Sequence, residues 1–86
     1  MAIKEWVVYI LLCSDDSFYC GITNDLTNRL DKHNKGLGAK YTRGRLPVSC
    51  VYVKGMFDKS SALKEEYRIK QLSRKEKISL INPWRK

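Results

Sequence analysis

The stretch VVYILLCSDDSFYCGIT, Val7 to Thr23, decides how this chain folds. With Trp6 in front, its first half runs through β-branched and aromatic residues to Leu12, and Ser14-Asp15-Asp16-Ser17 breaks the run. Apolar residues resume at once with Phe18-Tyr19-Cys20-Gly21-Ile22. That succession predicts a strand, a turn and a second strand. The first strand is apolar on both faces, which places it inside a sheet rather than at a wet edge. Tyr9 and Tyr19 stand on either side of the turn, and loop length decides whether they share a face. A two-residue loop at Asp15-Asp16 would put them on opposite faces. A three-residue loop, Ser14 to Asp16, would set Tyr9 opposite Gly21 with Tyr19 diagonal to it. If the two phenols serve one site, the connection has odd length.

Beyond this hairpin, Thr23-Asn24-Asp25 supplies helix caps and Asn34-Lys35-Gly36 a stop, which predicts a first helix of about three turns. Gly36 to Arg45, GLGAKYTRGR, has no periodicity and reads as a loop. Val48 to Val53 alternates and predicts a third strand, with Pro47 at its start, where a missing amide hydrogen is tolerated. Ser60-Ser61 caps a second helix running to about Leu72. Ser73 with Glu76 forms a capping box for a third, Arg74 to Ile81, which ends before Pro83. With no repeat and no low-complexity linker, residues 1–86 read as one α+β domain. Its order is β-β-α-β-α-α, a small, mainly antiparallel three-stranded sheet flanked by helices.

Eighty-six residues allow one modest core, and 43% apolar with 30% charged residues is ordinary for a globular chain. The net charge of +8 is not ordinary. It favours polyanionic partners, nucleic acid first among them. A membrane partner is not expected. Met1-Ala2-Ile3 offers no lipidation signal, the N-terminus lacks a signal-peptide cleavage site, and the apolar run Trp6 to Cys13 is of strand length. Cys13, Cys20 and Cys50 leave an odd thiol under any pairing and have no C-x-x-C spacing. They read as reduced strand residues of a cytoplasmic protein, and His33 alone is too little to complete a zinc site.

Two helices carry polar residues on faces that should be apolar. In the first, Leu26, Arg29, Leu30 and His33 fall on one stripe. Arg29 could snorkel along the stripe's edge and His33 could sit at the helix end, favoured by the dipole. In the second, Ala62, Leu63, Ile69 and Leu72 define the stripe, and Glu65 and Glu66 both lie near it. Glu66 could simply pair with Lys70. Each oddity has an ordinary explanation. Together, two tyrosines, an arginine, a histidine and a glutamate are the parts for hydrolysing a phosphodiester. A phenol or imidazole relays a proton, a guanidinium neutralises phosphate charge and a carboxylate holds a hard cation.

With these motifs in place the chain resembles the GIY-YIG nuclease superfamily, in particular its small stand-alone bacterial members. Val7-Val8-Tyr9 stands where the family writes G-I-Y, and Tyr19-Cys20-Gly21 is close to Y-I-G. Asn28-Arg29-Leu30 and Arg29-x-x-x-His33-Asn34 resemble the arginine helix. Gly38-Ala39-Lys40-Tyr41-Thr42-Arg43-Gly44 resembles the loop of the small members, and Ala62-Leu63-x-x-Glu66 the glutamate helix. The resemblance implies that Tyr9 and Tyr19 flank the attacked phosphate and that one of them, with His33 as a candidate helper, activates water. It implies that Arg29 binds the phosphate and that Glu66, rather than Glu65, ligates one divalent ion, Mg2+ or Mn2+. The expected activity is metal-dependent endonucleolytic cleavage of DNA or another nucleic acid; the alternative is a non-catalytic nucleic-acid-binding module of the same fold. Lys40, Tyr41, Arg43 and Arg45 would serve either, by phosphate contact and stacking. A protein partner would then supply target specificity. Two departures from the family pattern are Val7, in place of glycine, and Thr23, where several members carry lysine.

Overall fold

The computed structural model describes residues 5–82. Along them run strands β1 (Trp6–Leu12) and β2 (Phe18–Thr23), helices α1 (Leu26–Asn34) and α2 (Lys40–Arg43), strand β3 (Ser49–Met56), and helices α3 (Lys59–Lys70) and α4 (Arg74–Ile81). The expected stop at Pro83 and the N-terminal Met1-Ala2-Ile3 lie outside the described residues. Among those described, no helix is long and apolar enough to cross a membrane.

The strands form one antiparallel sheet in the order β2-β1-β3, so the doubly apolar strand takes the centre, as its sequence predicts. Tyr9 pairs with Gly21 and Leu12 with Phe18. The Cys13 amide closes the turn on the Ser17 carbonyl at 2.9 Å, and Asp16 takes the left-handed conformation at φ 67°. A three-residue hairpin loop needs one such residue, and aspartate tolerates it better than most side chains do. The odd connection is what brings Tyr9 and Tyr19 to one face. Val7, in the glycine's place, pairs with Thr23 on one side and with Gly55 on the other, so a residue without a side chain faces the extra one.

Each face of the sheet carries its own core. Val8, Ile10, Cys20, Val51, Tyr52, Ala62, Ile69 and Ile81 pack together under α3 and α4. Tyr9, Leu11, Cys13 and Val48 gather on the other face with Leu26 and Leu30 of α1. Val8, Ile10 and Leu11 are fully buried, each worth about 1.5–3 kcal/mol of apolar transfer. A bulge in β3 lets Val51 and Tyr52, although consecutive, both join the first core.

Helix α1 is capped by Asp25, whose carboxylate accepts from the Asn28 amide. It ends in a Schellman turn. The Leu37 amide reaches the Lys32 carbonyl and the Gly36 amide the His33 carbonyl, with Gly36 at φ 76°. Asn34 then clamps the helix end to the sheet. Its side-chain amide donates to the Val48 carbonyl and its oxygen accepts from the Val48 amide. The capping box of Ser73 and Glu76 is formed as expected.

Three expectations need correction. Helix α3 starts earlier than Ser60-Ser61 suggest, because Asp58 accepts from the Ser61 amide and is the true cap. The third strand runs beyond Val53 to Met56, since the ladder with β1 continues to Trp6. Within Gly36–Arg45 the chain is not all loop. Lys40–Arg43 form one helical turn, pinned by the fully buried Thr42.

Candidate nucleic-acid interface

Tyr9 and Tyr19 project from the sheet toward α1, with ring centroids 6.5 Å apart. His33, one helical stripe along from Arg29, fills the space behind them at 6.0 Å from the Tyr9 ring and 5.3 Å from the Tyr19 ring. The helix dipole alone does not account for it: His33 stands in the last turn of α1, but none of it is exposed.

Hydrogen bonds fix which nitrogen of His33 carries the proton. The Thr42 hydroxyl donates to the Ala39 carbonyl at 3.1 Å, so its oxygen is left to accept from His33 Nδ1–H at 2.9 Å. Burial, and then the Arg29 charge, push the His33 pKa down, so the ring is neutral and Nε2 is bare. The Tyr9 hydroxyl, 3.1 Å away, therefore donates to Nε2. Burial raises the Tyr9 pKa to about 12, against the lowering influence of nearby Arg29. The result is a directed chain from the Tyr9 phenol through His33 and Thr42 to the Ala39 carbonyl.

Two glycines make room for it. A Cβ at Gly21 would lie 2.6 Å from the Tyr9 hydroxyl, because that phenol crosses directly over its cross-strand partner. A Cβ at Gly38 would lie 2.6 Å from His33 Cγ. The sequence pattern alone assigns no role to Gly38 or to Thr42. The signal for both was a glycine and a small hydroxyl residue inside an otherwise basic loop.

Arg29 is half-buried beside both phenols, and their influence, Tyr9 first, holds its pKa further above the ordinary range. Tyr9 keeps only 1% of its surface. The side of the cluster that a ligand can touch is thus Tyr19 and Arg29, with Tyr9 and His33 behind. Tyr41 extends this wall, stacked on Tyr19 at 6.1 Å and 27°. Arg45 lies over the Tyr41 ring at 4.1 Å, donates to the Tyr41 carbonyl and pairs with Asp15 at 2.9 Å, so it braces the loop against the hairpin. Lys40 and Arg43 are exposed beside it.

The two glutamates of α3 separate cleanly. Glu65 accepts two hydrogen bonds from Arg68 and one from Lys54, and these, Arg68 first, hold its carboxyl at about 2. Glu66 has a looser ion pair, 3.5 Å from Lys70. It sits on the helix that covers the opposite face of the sheet from α1, and it bears electrostatically on Cys20 of the edge strand β2. The structure therefore joins Tyr9, Tyr19, Arg29, His33 and Tyr41 in one cluster, while Glu66 is carried by α3, beside Lys70. Among the described residues, no group of three or more His, Cys, Asp or Glu side chains stands together to hold a metal ion.

The pattern described as the GIY-YIG catalytic domain matches residues 5–79. The chain belongs to the GIY-YIG family. Membership associates it with nucleic acid and accounts for the ordered motifs on β1, β2, α1 and α3. This GIY-YIG chain is 60% identical over 78 residues to the UPF0213 protein OB0043 of Oceanobacillus iheyensis, covering 91% of each. It is 51% identical to the UPF0213 protein of Halobacterium salinarum, over 86% of this chain and 96% of that one. Two solution NMR structures share the fold. The UPF0213 protein BH0048 of Bacillus halodurans matches with TM-score 0.59 at 45% identity, over 91% of this chain and 83% of that one. The protein EF2693 of E. faecalis matches with TM-score 0.65 at 40% identity, over 94% and 86%.

Proposed function

We propose that this chain is a nucleic-acid-binding GIY-YIG domain, with DNA the expected ligand, that grips a backbone phosphate between Arg29 and Tyr19. The observation that carries this reading is the half-buried guanidinium of Arg29 set beside the paired Tyr9 and Tyr19 rings. A guanidinium beside the two rings offers its charge to a phosphate, as an anchor requires. Lys40 and Arg43 add exposed cations, Tyr41 adds a stacking surface, and the net charge of +8 draws in the polyanion. Phosphate contacts carry no sequence information, so a protein partner is the natural source of target choice. Fluorescence anisotropy with labelled duplex over a salt series tests the reading. Arg29→Ala should weaken binding to all sequences alike; unchanged affinity and salt dependence would sink it.

A second reading, hydrolysis of the phosphodiester, is favoured by the Tyr9–His33–Thr42 chain. The chain holds the Tyr9 hydroxyl as a donor to Nε2, which leaves the more accessible Tyr19 phenol to orient an attacking water beside Arg29. Thr42 and the Ala39 carbonyl hold the imidazole in the accepting tautomer. Arg29 would offset charge gathering on the phosphate. Glu66 fits a hard cation as a single carboxylate with a loose partner, the remaining ligands coming from phosphate and water. Mg2+ or Mn2+ bound there would supply charge neutralisation. Plasmid and branched DNA incubated with and without magnesium decide between the readings. Metal-dependent cleavage that falls ~100-fold or more in Glu66→Gln and in Arg29→Ala establishes hydrolysis. Binding by the wild type without cleavage leaves the first reading standing alone.

A further inference from the structure

A cavity of about 250 Å³ opens at the free edge of the sheet, lined by Phe18, Tyr19, Cys20, Tyr41, Lys70 and Lys77. Its walls come from both sheet faces. Along β2, Phe18 and Cys20 turn toward the core under α3 and α4, whereas Tyr19 turns toward α1. Only an edge strand lets both sets of side chains border one space, and β2 is such a strand. The lining is three aromatic rings and a thiol, with two ammonium groups from α3 and α4. Guanidinium groups lie over the two outer rings: Arg45 over Tyr41 at 4.1 Å, and Arg74 over Phe18 at 4.7 Å. These rings are braced rather than free to collapse into the space.

We propose that this cavity receives one unpaired nucleotide, the base lying against the aromatic wall and the flanking phosphates meeting Lys70 and Lys77. The proposal rests on the nucleic-acid reading above and names the substrate class it serves: strands carrying an extruded or single-stranded nucleotide. Tyr19 is the hinge of the argument. It is at once a wall of the cavity and part of the Arg29 cluster, so a nucleotide seated in the cavity presents an adjacent phosphate to Arg29. A base stacked inside a continuous duplex has both faces covered and cannot enter; an unpaired one can, at a small unstacking cost. Lys77, and Lys70 beside its 3.5 Å pair with Glu66, complement phosphate, whereas an apolar metabolite would leave Lys77 facing nothing of opposite charge.

The test compares a short labelled duplex containing one unpaired thymidine with the fully paired duplex of equal length, alongside RNA counterparts with one unpaired uridine. Wild type should bind the interrupted duplex about tenfold tighter or more, the size of one base–aromatic stack. That preference in either arm supports the cavity and names the backbone it serves. Lys77→Glu and Tyr41→Leu, each checked for folding by circular dichroism, should bring the ratio of the two affinities back toward one. Equal affinity of wild type for paired and interrupted duplexes overturns the cavity alone, because binding itself survives. A preference that persists in both variants places the unpaired nucleotide elsewhere and also overturns it. Failure to bind any of the probes overturns the nucleic-acid reading and the cavity together.

Discussion

Thr42→Val is the most informative single change, because it removes one oxygen and nearly preserves the shape of a side chain with no exposed surface. Two hydrogen bonds disappear. The Ala39 carbonyl loses the hydroxyl but keeps the Arg43 amide at 3.2 Å, so it stays satisfied. His33 Nδ1–H loses its acceptor at 2.9 Å and is left buried and unpaired. An orphaned buried donor costs about 1–3 kcal/mol, so the expected loss is ~2 kcal/mol. For a domain of this size that lowers Tm by roughly 8–16 °C. Urea unfolding and a thermal melt measure the loss, and nitrogen chemical shifts of the imidazole report the tautomer. Wild type should show Nδ1 protonated. The variant should shift the proton toward Nε2, reversing the bond to Tyr9 and weakening whatever activity depends on that phenol. A loss below ~0.5 kcal/mol, together with a bare Nδ1 in wild type, would refute the chain from Tyr9 to Ala39.

Stability should also depend on pH through His33. Its folded pKa lies below the ordinary 6.5, so the unfolded chain takes up the proton first; stability is full above about 6.5 and declines as pH falls below it. Urea midpoints between pH 8 and 5 test this, and His33→Gln should flatten that limb. Gly21→Ala pushes a Cβ to 2.6 Å from the Tyr9 hydroxyl and should cost about 1–3 kcal/mol in urea unfolding, with the Tyr9–His33 bond broken. Replacing Lys40 and Arg43 together with alanine should flatten the salt dependence of duplex binding by ~0.9 per lost contact; an unchanged slope returns both to solvent. Arg45→Ala, by contrast, should show first as loss of stability, because that side chain holds Asp15 and the Tyr41 ring.

The sequence made the sheet legible because its signals were local. The Trp6–Leu12 run, the Ser14–Ser17 break and the phase of Tyr9 against Gly21 are all set by neighbours within a few residues, and the structure keeps each of them. Cap choice was less legible, since Asp58 and Ser60 compete for the same role and only the entry angle of α3 decides between them. The cluster was legible as a set of residue types and not as an arrangement. The stripe and the helix dipole account for His33 at the helix end, and nothing nearby in sequence announces that Thr42 and Gly38 close over it. That closure depends on the Schellman turn folding the loop back against α1, a tertiary event. Glu66 is singled out by motif, and which sheet face its helix covers follows only from the packing of α3.

The central position of β1 also bears on how the chain emerges during synthesis. β2, α1 and α2 follow β1 directly, so the hairpin and the helix carrying Arg29 and His33 can assemble while the rest is still being made. The other edge of β1 has no partner until Ser49–Met56 arrives, and Val8 and Ile10 have no cover until α3 follows. For that interval the most apolar strand of the protein presents an open edge and a bare face, the combination that recruits other nascent chains. The first half of the chain thus carries the ligand-facing cluster, and the second half ends the period in which that half is prone to aggregate.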